Sequence, residues 1–353
     1  MSMKIIHILV LILLFSLSLG GCIEERNVSI KYQSFEPKTL SEKQGTIWMN
    51  FTIRADSTTE KTRLWVPYPV SNEYQKIDGY VFEGNYNYSG VFREPDSGTM
   101  ILYAEWIDPE VFPTMNFSFH IDRTERIEKD FNITTNEIPI DIQRYLIPTS
   151  LGPTDGIVKE IADDIIEDNE SILMKAIAIY DYLVEHGERN PNLSFCGDGD
   201  VCTLLQNLRG KCADFSSVFV ALSRSVGVPS REIFGTRMSK NGDITGNYHC
   251  HAEFYLPYYG WIPIDPSDVA KLMLNENLGL DDELVIEARD YYFGKQSDTY
   301  IDLSMGRDIT LNPMQDVGPL NYFMYPYAEV DGVALDFISQ EYLRYKIEFK
   351  EDL

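Results

Sequence analysis

The segment YHCHAEFYLPYYGWIPIDPSD, residues 248–268, sets His249 and His251 on either side of Cys250 and places Asp265 sixteen residues after His249. Side chains two apart on a strand share a face, so His249, His251 and Glu253 point one way and Cys250, Ala252 and Phe254 the other. Two chemistries fit this pattern. His-x-His-x-Glu on one face is a reasonable ligand set for zinc or iron. Alternatively, one histidine is the general base for a distant nucleophile and a carboxylate orients its second nitrogen. Asp265 meets that need if GWIPID returns as the neighbouring strand through the turn at PYYG. Spacing alone does not separate the two.

The nucleophile that such a base would serve is sought among five cysteines, at positions 22, 196, 202, 212 and 250. In KCADFSSVFVALSRSVGVP the residues Phe215, Val218, Phe219, Leu222 and Val226 recur at helical spacing, with Gly227 and Pro229 as stop signals. A helix therefore begins at or just before Cys212. Unpaired N–H groups at a helix start favour thiolate over thiol, and Gly210 lets the backbone turn there and leaves room for a substrate. The structural alternative is a small buried residue. Cys196 and Cys202 flank the tight loop GDGDV and suggest a small-loop disulfide, which would contribute somewhat under about 3 kcal/mol. Asp198 and Asp200 lack the remainder of a calcium loop.

The elements that must position these groups divide the chain. TIWMNFTIR, TRLWVPYPV, MILYAEW, MNFSFHI and IEKDFNI, separated by Asp, Ser, Gly and Pro turns, predict a β-sandwich over 46–140. The pattern then turns helical. Val158, Ile161 and Ile165 form one periodic set, and Leu173, Ile177, Tyr180 and Val184 a second that Gly187 ends. REIFGTRM, HCHAEFYL and GWIPID predict strands of an antiparallel sheet, so 141–300 read as an α+β core. Residues 301–353 are strand-like and Tyr-rich, a C-terminal β extension.

Composition bounds the rest. A chain of 353 residues, 44% apolar, has ample core-forming material, and its formal charge of -25 argues against nucleic acid as a partner. Residues 1–21 carry Lys4, an apolar run too short for a membrane span, and small residues, which reads as a secretory signal. The sequence Leu19-Gly20-Gly21-Cys22 resembles a prokaryotic lipobox, which implies lipid on Cys22. Residues 22–45 then serve as a tether, and the body is exported and held at the outer face of the cell membrane. Seven Asn-x-Ser/Thr sequons, from Asn27 to Asn192, are candidate surface sites.

Together, RGKCADFSSVFVALSRSVGVPSREIFGTR and HCHAEFYLPYYGWIPIDPSDV resemble the transglutaminase-like superfamily, cysteine enzymes with a papain-like α+β fold. Its pattern is Gly-x-Cys opening a helix, Gly-(Ile or Val)-Pro-(Ala or Ser)-Arg after it, then His-x-Trp-x-Glu on a strand, and Gly-Trp-x-x-x-Asp-Pro on the next. Gly210, Cys212, Gly227 to Arg231, His249, Glu253, Gly260, Trp261, Asp265 and Pro266 match in order. The resemblance implies Cys212 as nucleophile, His249 as base, Asp265 as orienting acid, no metal and no cofactor. His251 stands where many members have tryptophan. The implied activity is thioester-mediated hydrolysis or acyl transfer on peptide or glutamine-type amides of proteins, with Gln206 or Asn207 as a further oxyanion donor. Two other readings stay open: a surface-binding lipoprotein with a relic core, and a metal protein using the His-x-His-x-Glu strand.

Overall fold

The computed structural model describes residues 40–131, 136–166 and 170–352. The signal segment, Cys22 and most of the expected tether lie outside the described residues. Six strands come first: β1 (Glu42–Ile53), β2 (Lys61–Pro67), β3 (Gln75–Gly84), β4 (Tyr88–Arg93), β5 (Met100–Ile107) and β6 (Thr114–Thr124). The first begins inside the stretch expected to be tether. Alternation drives it: Ile47, Met49, Phe51 and Ile53 are buried while Trp48 and Asn50 face out. Met115, Phe117, Phe119 and Ile121 repeat the pattern on β6.

After β6 come the helices α1 (Ile157–Ile165), α2 (Ile172–His186) and α3 (Cys212–Ser225), then β7 (Ser230–Arg237), β8 (Tyr248–Leu256) and β9 (Gly260–Ile264). They are followed by α4 (Pro266–Glu276), α5 (Glu283–Tyr291), β10 (Tyr300–Met305), β11 (Tyr327–Val330) and β12 (Leu343–Glu351). One sandwich sheet runs from the two-residue strand Gly242–Asp243 through β12, β1 and β6 to β3; the other runs from Val333–Ala334 through β11, β2 and β5 to β4. The C-terminal extension thus supplies a strand to each. β2 is buried on both faces because Trp65, with Ile101 and Tyr103 of β5, packs on Ile309, Leu311 and Phe323.

Two strands escape the sequence reading for a visible reason. β3 and β4 are largely exposed, and a bulge between Asp78 and Val81, where Gly79 takes φ +61°, breaks the alternation of β3. IEKDFNI was expected as a strand, but only Arg126–Ile127 pairs, with Lys295–Gln296. Its end lies outside the described residues. The asparagines of the described sequons, Asn50, Asn87, Asn116 and Asn192, are all exposed.

The third sheet, ordered β9-β8-β7-β10, is antiparallel throughout. Ala252, Phe254, Leu256, Ile262 and Ile264 on one face share a core with α1, α2 and α3. The α3 sequence predicts one apolar stripe, yet every residue from Cys212 to Arg224 is buried. The helix lies between β8 on one side and α1 and α2 on the other, so its polar face also meets protein. Two of its polar side chains find carbonyls: Ser217 donates to the Ala213 carbonyl at 2.6 Å, and Arg224 donates to the carbonyls of Ser230 and Ile147. Ile301 and Leu303 of β10, with Met238 and Ile244, join the sandwich core.

Candidate functional site

The start of α3 is built by Asp214. Its carboxylate accepts from the backbone N–H of Lys211 at 2.8 Å and of Gly199 at 2.9 Å, joining the helix to the loop at 196–200. Glycine is needed along that approach. A Cβ on Gly197 (φ +102°) would stand 2.1 Å from Asp214 Oδ2, and one on Gly210 would stand 2.4 Å from Asp214 Cβ. This latch replaces the disulfide expected between Cys196 and Cys202. Both are free thiols, Cys202 exposed and Cys196 buried. Asp200 caps the short helix Val201–Leu204 by accepting from Thr203, so it has a local structural role.

Cys196 instead turns inward. Its sulfur lies within 4.8 Å of those of Cys212 and Cys250, and all three are buried. Burial pushes the Cys212 thiol up, but hydrogen bonds from Cys196 and Cys250 and the adjacent His249 outweigh it and hold Cys212 well below the ordinary thiol range. Cys196 is raised, first by its hydrogen bond to Cys212, and Cys250 is raised, first by burial. Cys212 is thus the thiol of the three that favours the thiolate, while Cys196 also lies within donating distance of the Tyr248 carbonyl at 3.5 Å.

His249, at the start of β8, is hydrogen-bonded through Nε2 to Asp265 Oδ2 at 2.6 Å. With Nε2 so engaged, Nδ1 is the nitrogen left for the Cys212 thiol. Asp265 is held in turn as the N-cap of α4: its Oδ1 accepts from the Asp268 N–H at 3.1 Å, and Tyr300 donates to Oδ2 at 2.5 Å. The sequence did not point to three further neighbours. Asp268 Oδ1 lies 3.8 Å from His249 Nε2; Arg237 donates to both Asp268 and Tyr300; the Arg237 guanidinium also stacks on the Tyr300 ring at 4.5 Å. Burial and Arg237 push His249 down, while Asp265, Asp268 and the Cys212 thiolate outweigh them and raise it to about 9. Burial works against ionised Asp268, but His249 and Arg237 hold it at about 2. The signal that could have found Asp268 is its place three residues after the N-cap Asp265, the spacing of a first-turn acid.

His251 and Glu253 point from the same strand into different company. Glu253 is hydrogen-bonded by Arg126 at 2.7 Å and by Arg231 at 2.7 Å, and Arg231 stacks on Trp261 at 3.9 Å. Its carboxylate is held at about 2, the two arginines outweighing burial. His251 meets Gln296 at 3.1 Å and the edge of Tyr300, and burial pushes its imidazole down. Glu253 is therefore spent on arginines. Among the described residues, the groups of three close enough to share an ion are the three cysteines and His249 with Asp265 and Asp268. The His249, His251 and Glu253 metal set does not form.

A cavity of about 440 Å³ opens over the site, lined by His249 and Cys196 while Cys212 lies buried beside them. Neither Gln206 nor Asn207 lines it. Residues 159–266 match the family model described as the transglutaminase-like superfamily. An uncharacterized protein of Haemophilus influenzae is 36% identical over 313 residues, covering 81% of this chain and 85% of its own length. The chain belongs to the transglutaminase-like superfamily.

Uncharacterized protein YebA of Bacillus subtilis is 30% identical over 141 residues, 35% of this chain and 19% of that protein. A solved structure from Cytophaga hutchinsonii, called a "Putative Cysteine Protease", superposes with a TM-score of 0.52 at 16% identity, over 88% of this chain and 98% of that one. That likeness is one of fold. The transglutaminase-like match begins in α1 and ends at Pro266, so it takes in Cys212, His249 and Asp265 and stops before Asp268 and Tyr300. It also takes in both ends of the Arg231–Glu253 ion pair, which ties β7 to β8 behind the histidine.

Proposed function

We propose that this transglutaminase-like protein is an extracytoplasmic cysteine enzyme that opens peptide or carboxamide bonds through a thioester on Cys212. The observation that carries the reading is the Asp265-to-His249 hydrogen bond beside a buried thiol held as thiolate. The Cys212 sulfur attacks the carbonyl carbon, and the carbonyl π pair moves to oxygen. The Cys212 N–H, at the first turn of α3, has no acceptor within the helix and is free to bond that oxyanion. Collapse of the oxyanion expels the amine, which takes its proton from His249. Neutral His249 then draws a proton from water, hydroxide adds to the thioester, and the acid leaves as the thiolate returns. A lysine amine in place of water gives transfer. Asp265 keeps the ring in the tautomer these steps require.

Iodoacetamide tests the nucleophile. It should alkylate Cys212 faster than Cys250 near neutral pH, and the difference should vanish in His249→Ala; equal labelling in the native protein overturns the reading. The export and anchoring part rests on residues 1–22 and is checked apart. Mass spectrometry of the mature N-terminus should find acylated Cys22, and Cys22→Ala should release the protein from membranes. No described helix is long and apolar enough to cross a membrane.

A further inference from the structure

The cavity over the thiolate is basic in an acidic protein. The chain holds 55 acidic side chains against 30 Lys and Arg, yet Arg189, Lys211, Arg237 and Lys271 line this cavity and no Asp or Glu does. Arg237 is engaged by Asp268 and, at 3.5 Å, by Asp265. The other three form no ion pair among the described residues. They reach the cavity from separate elements. Arg189 sits in a two-residue strand paired with Arg209–Gly210, and its Nη1 donates to Ser267 Oγ at 2.6 Å. Lys211 directly precedes the nucleophile and donates to the Leu193 carbonyl. Lys271 projects from the exposed side of α4.

Unpaired cations gathered in a concave site raise the local concentration of anions and favour their binding. An acidic chain offers many carboxylates, yet Arg189, Lys211 and Lys271 close an ion pair with none of those described, and Asp268, which feels the Lys271 charge, is itself bound to Arg237. Resting on the acyl-transfer reading above, we infer that the acyl substrate is a carboxylate-bearing peptide, with the carboxylate held by Arg189, Lys211 and Lys271 next to the carbonyl that Cys212 attacks. Arg189, whose guanidinium is more weakly hydrated than an ammonium, has the fork to bind both carboxylate oxygens, while Lys211 and Lys271 act as point charges.

Binding is measured with full-length Cys212→Ala and three short dye-labelled peptides: a glutamate-rich one blocked at both ends, its glutamine counterpart also blocked, and the glutamine peptide with a free C-terminal carboxylate. The blocked glutamate peptide should bind about tenfold more tightly than the blocked glutamine peptide, and the gap should close near 1 M salt, where the Debye length is about 3 Å. Lys271→Glu, on an exposed helix face, should weaken glutamate-peptide binding about fivefold or more. If only the free-terminus peptide binds, the carboxylate is the terminal one and the inference holds in that form. Equal binding of all three, or binding of none, overturns it. Turnover by the native enzyme is scored separately: cleavage without charge preference sinks this inference and leaves the acyl-transfer reading standing, whereas charge-selective binding with no turnover and no Cys212 labelling does the reverse.

Discussion

His249 and His251 stand two residues apart on β8, share a face, are both buried, and touch the same Tyr300 ring. One is raised to about 9 and the other is pushed below its ordinary value. The difference lies in what surrounds each ring. Asp265, Asp268 and a thiolate all face His249, whereas at His251 burial prevails over Asp302 and over Glu253, whose charge is shared with Arg126 and Arg231. Two identical residues thus become a proton-holding group and a neutral packing group, decided by where opposite charge has been used up.

The contrast breaks most sharply at Asp265. Asp265→Asn should lower kcat by about 10⁴, the cost of losing tautomer control in such a triad. His251→Asn should keep rapid Cys212 labelling and lose about 1–3 kcal/mol of stability instead, from stranding Gln296; an equal kcat loss in both variants would erase the distinction. Next is Glu253→Gln, which leaves two half-buried arginines with less counter-charge at a buried carboxylate position and should cost about 3 kcal/mol in denaturant unfolding. A third outcome is read in pH. Because the folded value of His249 is raised from 6.5 to about 9, its stabilising contribution is complete below about 6.5 and is lost as pH rises through about 9. The stability gap between native protein and His249→Asn should accordingly narrow by roughly 3 kcal/mol over that window. The smallest effect concerns the thiols. Cys250→Ala removes a hydrogen bond to Cys212 and should move its alkylation profile to higher pH, while Cys202→Ser, at an exposed free thiol, should change stability by no more than about 0.5 kcal/mol.

What could be read from the sequence followed local rules. The break at Gly210, the helix after Cys212, the pairing of GWIPID with HCHAEFYL, and the sandwich strands all rest on period and turn chemistry within a few residues. What escaped was set by distant partners. Tyr300 reaches Asp265 from 35 positions away, and Arg237 reaches Asp268 from 31. The 196–202 loop misled for the same reason: its closure is a carboxylate on α3, which no spacing of cysteines reveals. The burial of the polar face of α3 was not legible because helical periodicity counts apolar residues and does not see a second layer of helices.

The neighbouring places of β1 and β12 in one sheet have a consequence for how the molecule comes into being. The sandwich is not completed by residues 42–124 alone. The β1 pairing waits for residues 343–351, across a separation of about three hundred positions. The core carrying Cys212 is synthesised inside that interval, so early chains expose an open strand edge that its partner has yet to cover.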